Sequence, residues 1–367
     1  MKTFLIGVGA AGNKAVVDAV ERGIVGTEDT CIINSTSKDF PKDYDGMKIV
    51  LSDTDTGCGK ERAIAKEYVI DAIGKGKFNS LPVSGYITVV VITSVEGGTG
   101  SGSAPVIAKF CNDVCGKNVH IIAFTGFEED VRGLNNTVEF FKEVPPNIVV
   151  QTISNASYLQ AAGGNKLKAE ELANKEMGER IEVITGKKFI PGSQNIDDTD
   201  ILKLSNTSGY MIVSKKTFKK PLETRDDFEK IIKNMIYNNS SIRTEDSAIR
   251  IGVILNISPE SEDAVDFMFE SLRNAYGKPY EFFLQQQYDG KEEYIAFIAS
   301  GLKMPIEEIQ AVYDRYIEQT KKVNKNDDIF FSHVKTLNQE EEDRKFDMVK
   351  NENSNFSSIA DFLNTVK

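Results

Sequence analysis

Two glycine-rich turns constrain this chain most, because each stands where a β-branched run gives way to a helical pattern. The first, Gly7, Val8, Gly9, Ala10, Ala11, Gly12, follows the run Thr3 to Ile6, and the second, Gly97, Gly98, Thr99, Gly100, Ser101, Gly102, follows Tyr86 to Ile92. A strand that turns through glycine into a helix leaves that helix's first N–H groups open to an anion, and the missing side chains let the ligand approach closely. Pro105 falls early in the second helix, where a missing N–H is harmless. Glycines serving only tight turns would explain either loop singly. Two phosphate-ready helix starts in one chain imply a shared binding edge.

The surrounding pattern supplies that edge. Runs at Thr3 to Ile6, Cys31 to Ile33, Met47 to Val50, Tyr86 to Ile92, His120 to Phe124 and Ile148 to Ile153 alternate with helical segments. Such alternation predicts an α/β fold with a mainly parallel, Rossmann-like sheet covered by helices on both faces, which binds ligands at the carboxyl ends of its strands. A long helix then runs to about Thr185, with Ala173, Met177, Ile181 and Ile184 on one face and Gly186 as its C-cap. From Gly209 the order becomes strand, helix, strand, helix, strand, strand, helix, over Tyr210 to Val213, Phe228 to Tyr237, Ile249 to Leu255, Glu262 to Ala275, Tyr280 to Leu284, Tyr294 to Ala299 and Pro305 to Lys321. This predicts a smaller α+β domain. Beyond about Val323 the composition turns polar and the regular pattern is lost. Phe356, Ile359, Phe362, Leu363 and Val366 would line one side of a short terminal helix, which either binds a partner or docks on its own subunit.

Composition excludes several classes. With 40% hydrophobic and 27% charged residues the chain falls among soluble globular proteins. Its apolar runs are strand-sized, far short of the ~20 residues that span a bilayer, so no membrane segment is expected. The opening residues lack the pattern of a signal peptide, and a cytoplasmic location is expected. The four cysteines and two histidines show no metal-ligand spacing, which favours reduced thiols and no protein metal site. A net charge of -11 argues against direct nucleic-acid binding, since phosphate contacts need a basic surface.

The first glycine loop alone would suit a nicotinamide enzyme, but the acidic residue expected after the second strand is replaced by neutral Asn34. The second loop lacks the lysine of a Walker A motif. A triphosphate here would be met by backbone donors, helix dipoles and a magnesium ion.

The second turn, followed by Ala104, Pro105, Val106, Ile107 and Ala108, resembles the nucleotide loop and helix of the tubulin/FtsZ superfamily. The first turn with Asn13 is similar to that family's opening loop, and the order of elements matches from Met1 to about Lys321. The resemblance implies GTP and GDP as ligands, with Mg2+. It places Gly9, Ala10, Ala11, Gly12 and Asn13 in the opening loop, Gly97, Gly98, Thr99, Gly100, Ser101 and Gly102 on the phosphates, and Gly57 and Gly59 near the terminal phosphate. It also implies that Glu128 and Arg132 contact the ribose and that Asn155 and Asn174 read base and sugar. An exposed helix face would explain Asn174 equally well. Two departures stand out: Glu170 replaces the aromatic residue that FtsZ-type chains stack on the base, and Val95 and Glu96 replace a glycine-rich approach to the phosphate loop.

Asn195, Asp197 and Asp200, in the segment Asn195 to Asp200, are similar to the family's catalytic loop, although an Asn/Asp cluster ahead of Ile201 and Leu204 also suits a helix cap. The predicted helix from Lys166 to Thr185 spans ~30 Å, so these carboxylates are expected to act on the nucleotide of the next subunit, head to tail. Asp200 is expected to activate water, Asp197 to support it and Asn195 to position the loop. The resulting division is a GTP-binding domain over 1–164, a connecting helix over 165–186, the catalytic loop and α+β domain over 187–323, and a tail over 324–367. Within the superfamily the TubZ group fits best, tubulin-like proteins of plasmids and phages whose filaments are joined to DNA by a DNA-binding adaptor at the tail. A divergent division-type FtsZ is the alternative, and a nucleotide-binding protein without turnover is the alternative from another class.

Overall fold

A computed structural model of the chain describes residues 2–218, 225–244, 246–258 and 264–330. The tail beyond Phe330, including the expected terminal helix at Phe356 to Val366, lies outside the described residues. The first half runs β1 (Thr3–Val8), α1 (Gly9–Glu21), β2 (Thr30–Asn34), β3 (Met47–Val50), α2 (Arg62–Gly74), β4 (Thr88–Ser94), α3 (Gly98–Lys109), β5 (Asn118–Thr125), α4 (Val131–Glu143), β6 (Val149–Ser154) and α5 (Lys166–Thr185). The second half runs α6 (Asp198–Ser205), β7 (Gly209–Phe218), α7 (Arg225–Tyr237), β8 (Arg250–Asn256), α8 (Ala264–Tyr276), β9 (Glu281–Gln287), β10 (Glu293–Leu302) and α9 (Ile306–Phe330).

The ten strands among the described residues join one sheet in the order β3-β2-β1-β4-β5-β6-β7-β10-β8-β9. The first six are parallel, so the turns that follow β1, β2, β4, β5 and β6 all emerge at one edge. β4 is buried on both faces, which its unbroken run Thr88, Val89, Val90, Val91, Ile92 foretells for the middle of a parallel sheet. Alternation still sorts the core: Phe4, Ile6 and Val8 face one hydrophobic layer and Leu5 the other.

The two halves meet through short parallel pairing, Val149 with Gly209 and Val150 with Tyr210. Gly209 is required there, because its φ is 109° and a Cβ would lie 2.7 Å from the Leu302 carbonyl oxygen. Beyond it the sheet is mixed, with β10 antiparallel to both β7 and β8.

Helix α5 buries Ala173, Met177, Ile181 and Ile184, and Gly186 caps it at φ 64°, as the periodicity predicts. Its Arg180, 1% exposed, donates to Glu176, to the Thr152 carbonyl and to the hydroxyls of Ser240 and Ser241. This pins the central helix to β6 and to the loop that follows α7. Helix α9 packs along α4 through Val312, Tyr313 and Tyr316 against Leu134 and Val138. It continues to Phe330, correcting the expectation that regular structure ends near Val323. Once nucleated, a helix propagates through polar residues without any apolar stripe, so loss of pattern did not mark its end. No helix among the described residues is long and apolar enough to cross a membrane.

Candidate functional site

The two glycine turns meet at the carboxyl edge of β1 and β4. Gly9 has φ 74°, and a Cβ on it would lie 3.0 Å from the backbone nitrogen of Gly100, so the turns touch directly. Helix α1 begins at Gly9 and α3 at Gly98, and neither carries a capping side-chain hydrogen bond or an acidic residue in its first turn. Both N-termini therefore keep the orphan N–H groups and positive dipole ends that favour an anion. Ala10, Ala11, Gly12 and Asn13 lie in the first turns of α1, and Thr99, Gly100, Ser101 and Gly102 in those of α3 behind Gly97.

Further groups close on the same place. The loop with Gly57 and Gly59 leans on α3: a Cβ on Gly98 would lie 2.6 Å from the Lys60 backbone, and Cys58 Sγ lies 3.1 Å from Thr99 Oγ1. Ser35 Oγ approaches the same hydroxyl at 2.9 Å. Asn13 and Asn34 are buried, each with its Oδ1 accepting a backbone N–H while its Nδ2 has no partner. Two buried amide donors without acceptors beside uncapped helix starts are the mark of a ligand-shaped site, since such groups are costly to leave unpaired. Asn34 and Ser35 went unrecognised in the sequence, where Asn34 registered only as a missing acid.

Glu128 and Arg132 stand on the rim of this site but turn toward protein partners. Glu128, at φ 54°, pairs with Arg315 of α9 at 2.7 Å, and Arg132 pairs with Glu61. Glu129 pairs with Lys166 at the start of α5, and Lys60 pairs with Asp130 at 2.6 Å, holding the Asp130 carboxyl below its ordinary range. Glu96 explains its own departure from the FtsZ pattern. Its carboxylate accepts the Glu128 N–H at 2.8 Å and occupies the space where a side chain on Gly126 would go, and burial pushes its pKa up. Val95 simply extends the sheet, its N–H donating to the Phe124 carbonyl at 3.1 Å.

Asn155 follows β6 at the same edge and is 8% exposed, while Asn174 is half-buried two turns into α5 and Glu170 half-buried one turn earlier. The acidic loop is elsewhere. Lys187, just past α5, donates to the Ile24 carbonyl at the far end of α1, whose 13 residues cover ~20 Å. With 20 residues in α5, ~30 Å separates its two ends. The structure thus brings the glycine turns, Gly57, Gly59, Glu128, Arg132 and Asn155 to one edge and leaves Asn195, Asp197 and Asp200 remote from it. Asn195 shapes its own turn by hydrogen bonds with both backbone groups of Gly192. Asp197 caps α6, accepting from Thr199 and Asp200 N–H at 2.8 Å. Asp200 is half-buried in the first turn.

Among the described residues no cluster of three or more His, Cys, Asp or Glu is placed to hold a metal ion. The Thr99 hydroxyl is met by that of Ser35, and the neighbouring Thr36 hydroxyl donates to Asp55 at 3.0 Å. That donor set suits magnesium carried mainly by nucleotide phosphates and water.

Comparison with known proteins agrees with this geometry. Over 88% of its length the chain superposes on CetZ2 of Haloferax volcanii, solved as a GTPγS-bound protofilament, with a TM-score of 0.72, 15% identity and all of that chain covered. It superposes on TubZ of Clostridium botulinum phage c-st with a TM-score of 0.65 and 16% identity over 88% of this chain and 99% of that one. The chain has the tubulin/FtsZ fold. In sequence it is similar to the cell division protein FtsZ of Mycoplasmopsis pulmonis, 25% identical over 219 residues, 57% of this chain and 54% of that protein. FtsZ of Methanothermobacter thermautotrophicus is 25% identical over 218 residues, 58% and 56% of the two chains. The chain thus spans just over half the length of the curated relatives it matches. No family model matches it.

Proposed function

We propose that this protein is a GTPase that polymerises head to tail, each subunit binding GTP between the glycine turns and receiving the acidic loop of its neighbour. The separation of that loop from the nucleotide edge by the length of α5 carries the reading, because a single subunit cannot bring the two together. In this scheme the N-termini of α1 and α3 bind the phosphates, and Asn13, Asn34 and Asn155 supply amides to the nucleotide. Bound magnesium would neutralise phosphate charge. Asp200 of the neighbour orients and polarises water, Asp197 supports it, and Asn195 fixes the loop. The fold shared with CetZ proteins solved with GTPγS and GDP supports GTP as the nucleotide, and that shared with the CetZ2 protofilament and the TubZ filament supports assembly.

Phosphate release measured over a range of protein concentrations tests the scheme. A specific rate that rises only above a threshold is expected; a rate constant down to dilute protein would mean that each monomer is self-sufficient. At finer grain, the acidic chain and its polar tail favour a TubZ-like filament that moves DNA through a DNA-binding adaptor. The sequence matches to division FtsZ favour a second reading, a divergent cell-division protein. Partners captured by the full-length chain decide between them, a DNA-binding adaptor supporting the first and a membrane adaptor the second.

A further inference from the structure

Helix α3 widens after Lys109 into a π turn over Phe110–Val114, marked by the Cys115 N–H donating to the Phe110 carbonyl five residues back at 3.2 Å. The turn carries Cys111, fully buried, and ends on Cys115, half-buried, both free thiols. Side chains four apart on an α-helix keep ~5–6 Å between Cβ atoms, whereas a disulfide needs ~3.5–4.5 Å. A π turn holds more residues with less rise between them, so it draws such a pair together.

We propose that Cys111 and Cys115 form a redox-active thiol pair whose substrates are low-molecular-weight disulfides, Cys115 attacking first and Cys111 resolving. The burial asymmetry assigns the roles, since only Cys115 is open to a small molecule. Its thiol is held below the ordinary value by the hydrogen bond from Cys111 and by Lys117, while Cys111 is pushed up by that same bond and by burial. Cys31, by contrast, is fully buried in β2 and pushed up to about 12 by burial. In the first step the Cys115 thiolate attacks one sulfur of the small disulfide, forming a mixed disulfide and expelling one small thiolate. Cys111 then attacks the Cys115 sulfur, its proton passing to the departing small thiolate, which leaves as the second thiol. Two protein thiols are oxidised and one small disulfide is reduced to two thiols.

The test uses the full chain incubated with oxidised glutathione, trapped by alkylation and resolved by peptide mass spectrometry. A Cys111–Cys115 disulfide should accumulate and reverse on adding reduced glutathione. The Cys111→Ala chain should instead retain glutathione on Cys115, with its fold checked by circular dichroism. A glutathione adduct persisting on Cys115 in the unaltered chain would overturn the proposal, as would both thiols staying alkylatable throughout; these two outcomes do not depend on any variant folding.

Discussion

A methyl group at Gly12 would sit 2.1 Å from the Ile92 carbonyl oxygen, inside the sheet, whereas one at Gly97 meets nothing within 4 Å. Both glycines belong to motifs that look alike in sequence, yet only the first is fixed by packing. Gly12→Ala is expected to destabilise the fold by at least the ~1–3 kcal/mol typical of overpacking, and Gly97→Ala to unfold in urea like the unaltered chain. Equal midpoints for the two variants would contradict this. Sequence showed that these positions need glycine but could not say whether for the ligand or for the sheet. It registered Asn34 and Glu96 only as departures from a pattern and missed Ser35, because the contacts that matter, such as Ser35 with Thr99 and Glu96 with the Glu128 N–H, join distant stretches of chain. His120 shows the same limit. It is fully buried, with Nε2 3.0 Å from Asn206 Oδ1, and burial lowers its pKa from 6.5 to about 4. Between those values the unfolded chain binds the extra proton, so this contribution to stability is complete above pH 6.5 and is lost as pH falls toward 4, by about 3 kcal/mol in all. Urea titrations of the chain and of His120→Gln should therefore diverge in slope across that window, the variant being the less sensitive to acid.

At the scale of elements, α6 shows how one residue can satisfy two readings at once. Asp197 is a helix cap in the structure, as a plain reading of an Asn/Asp cluster before Ile201 and Leu204 would have it. The catalytic reading places the same carboxylate at a subunit contact. Sequence could not part them because a capping oxygen and a water-orienting oxygen call for the same residue type. Substitution can. Asn caps as well as Asp, so Asp197→Asn should keep the stability of the fold, while Asp197→Ala should lose ~1 kcal/mol. If the charge also supports hydrolysis, both variants should release phosphate several-fold more slowly than the unaltered chain. Full turnover in Asp197→Asn would reduce the residue to a cap. The strands and the central helix were legible because each carries its own period or apolar run. The reach of α9 was not, since its last turns carry no apolar stripe.

For the molecule as a whole, the least legible feature is the single sheet, because β6 and β7 join through a short pairing whose partners lie about sixty residues apart, beyond any local pattern. What did follow from sequence is the polarity of the subunit. A helix of 20 residues parts the glycine turns at one end from the acidic loop at the other, and under the proposed scheme each subunit would carry half a site on each of two distant faces. Half-sites of that kind can complement one another. Asp200→Ala should bind GTP normally and release little phosphate. Gly98→Ala, whose added carbon would lie 2.6 Å from the Lys60 backbone, should fail to bind nucleotide while its acidic loop stays intact. In a mixture, the Gly98→Ala chain can present its Asp197 and Asp200 to the GTP held by the Asp200→Ala chain, which makes one complete site from two inactive proteins. Phosphate release should therefore reappear on mixing, rise with the concentration of either partner and vanish on dilution. Two variants that stay silent together, although each is folded and the Asp200→Ala chain still binds GTP, would show that the acidic loop does not act across the subunit contact.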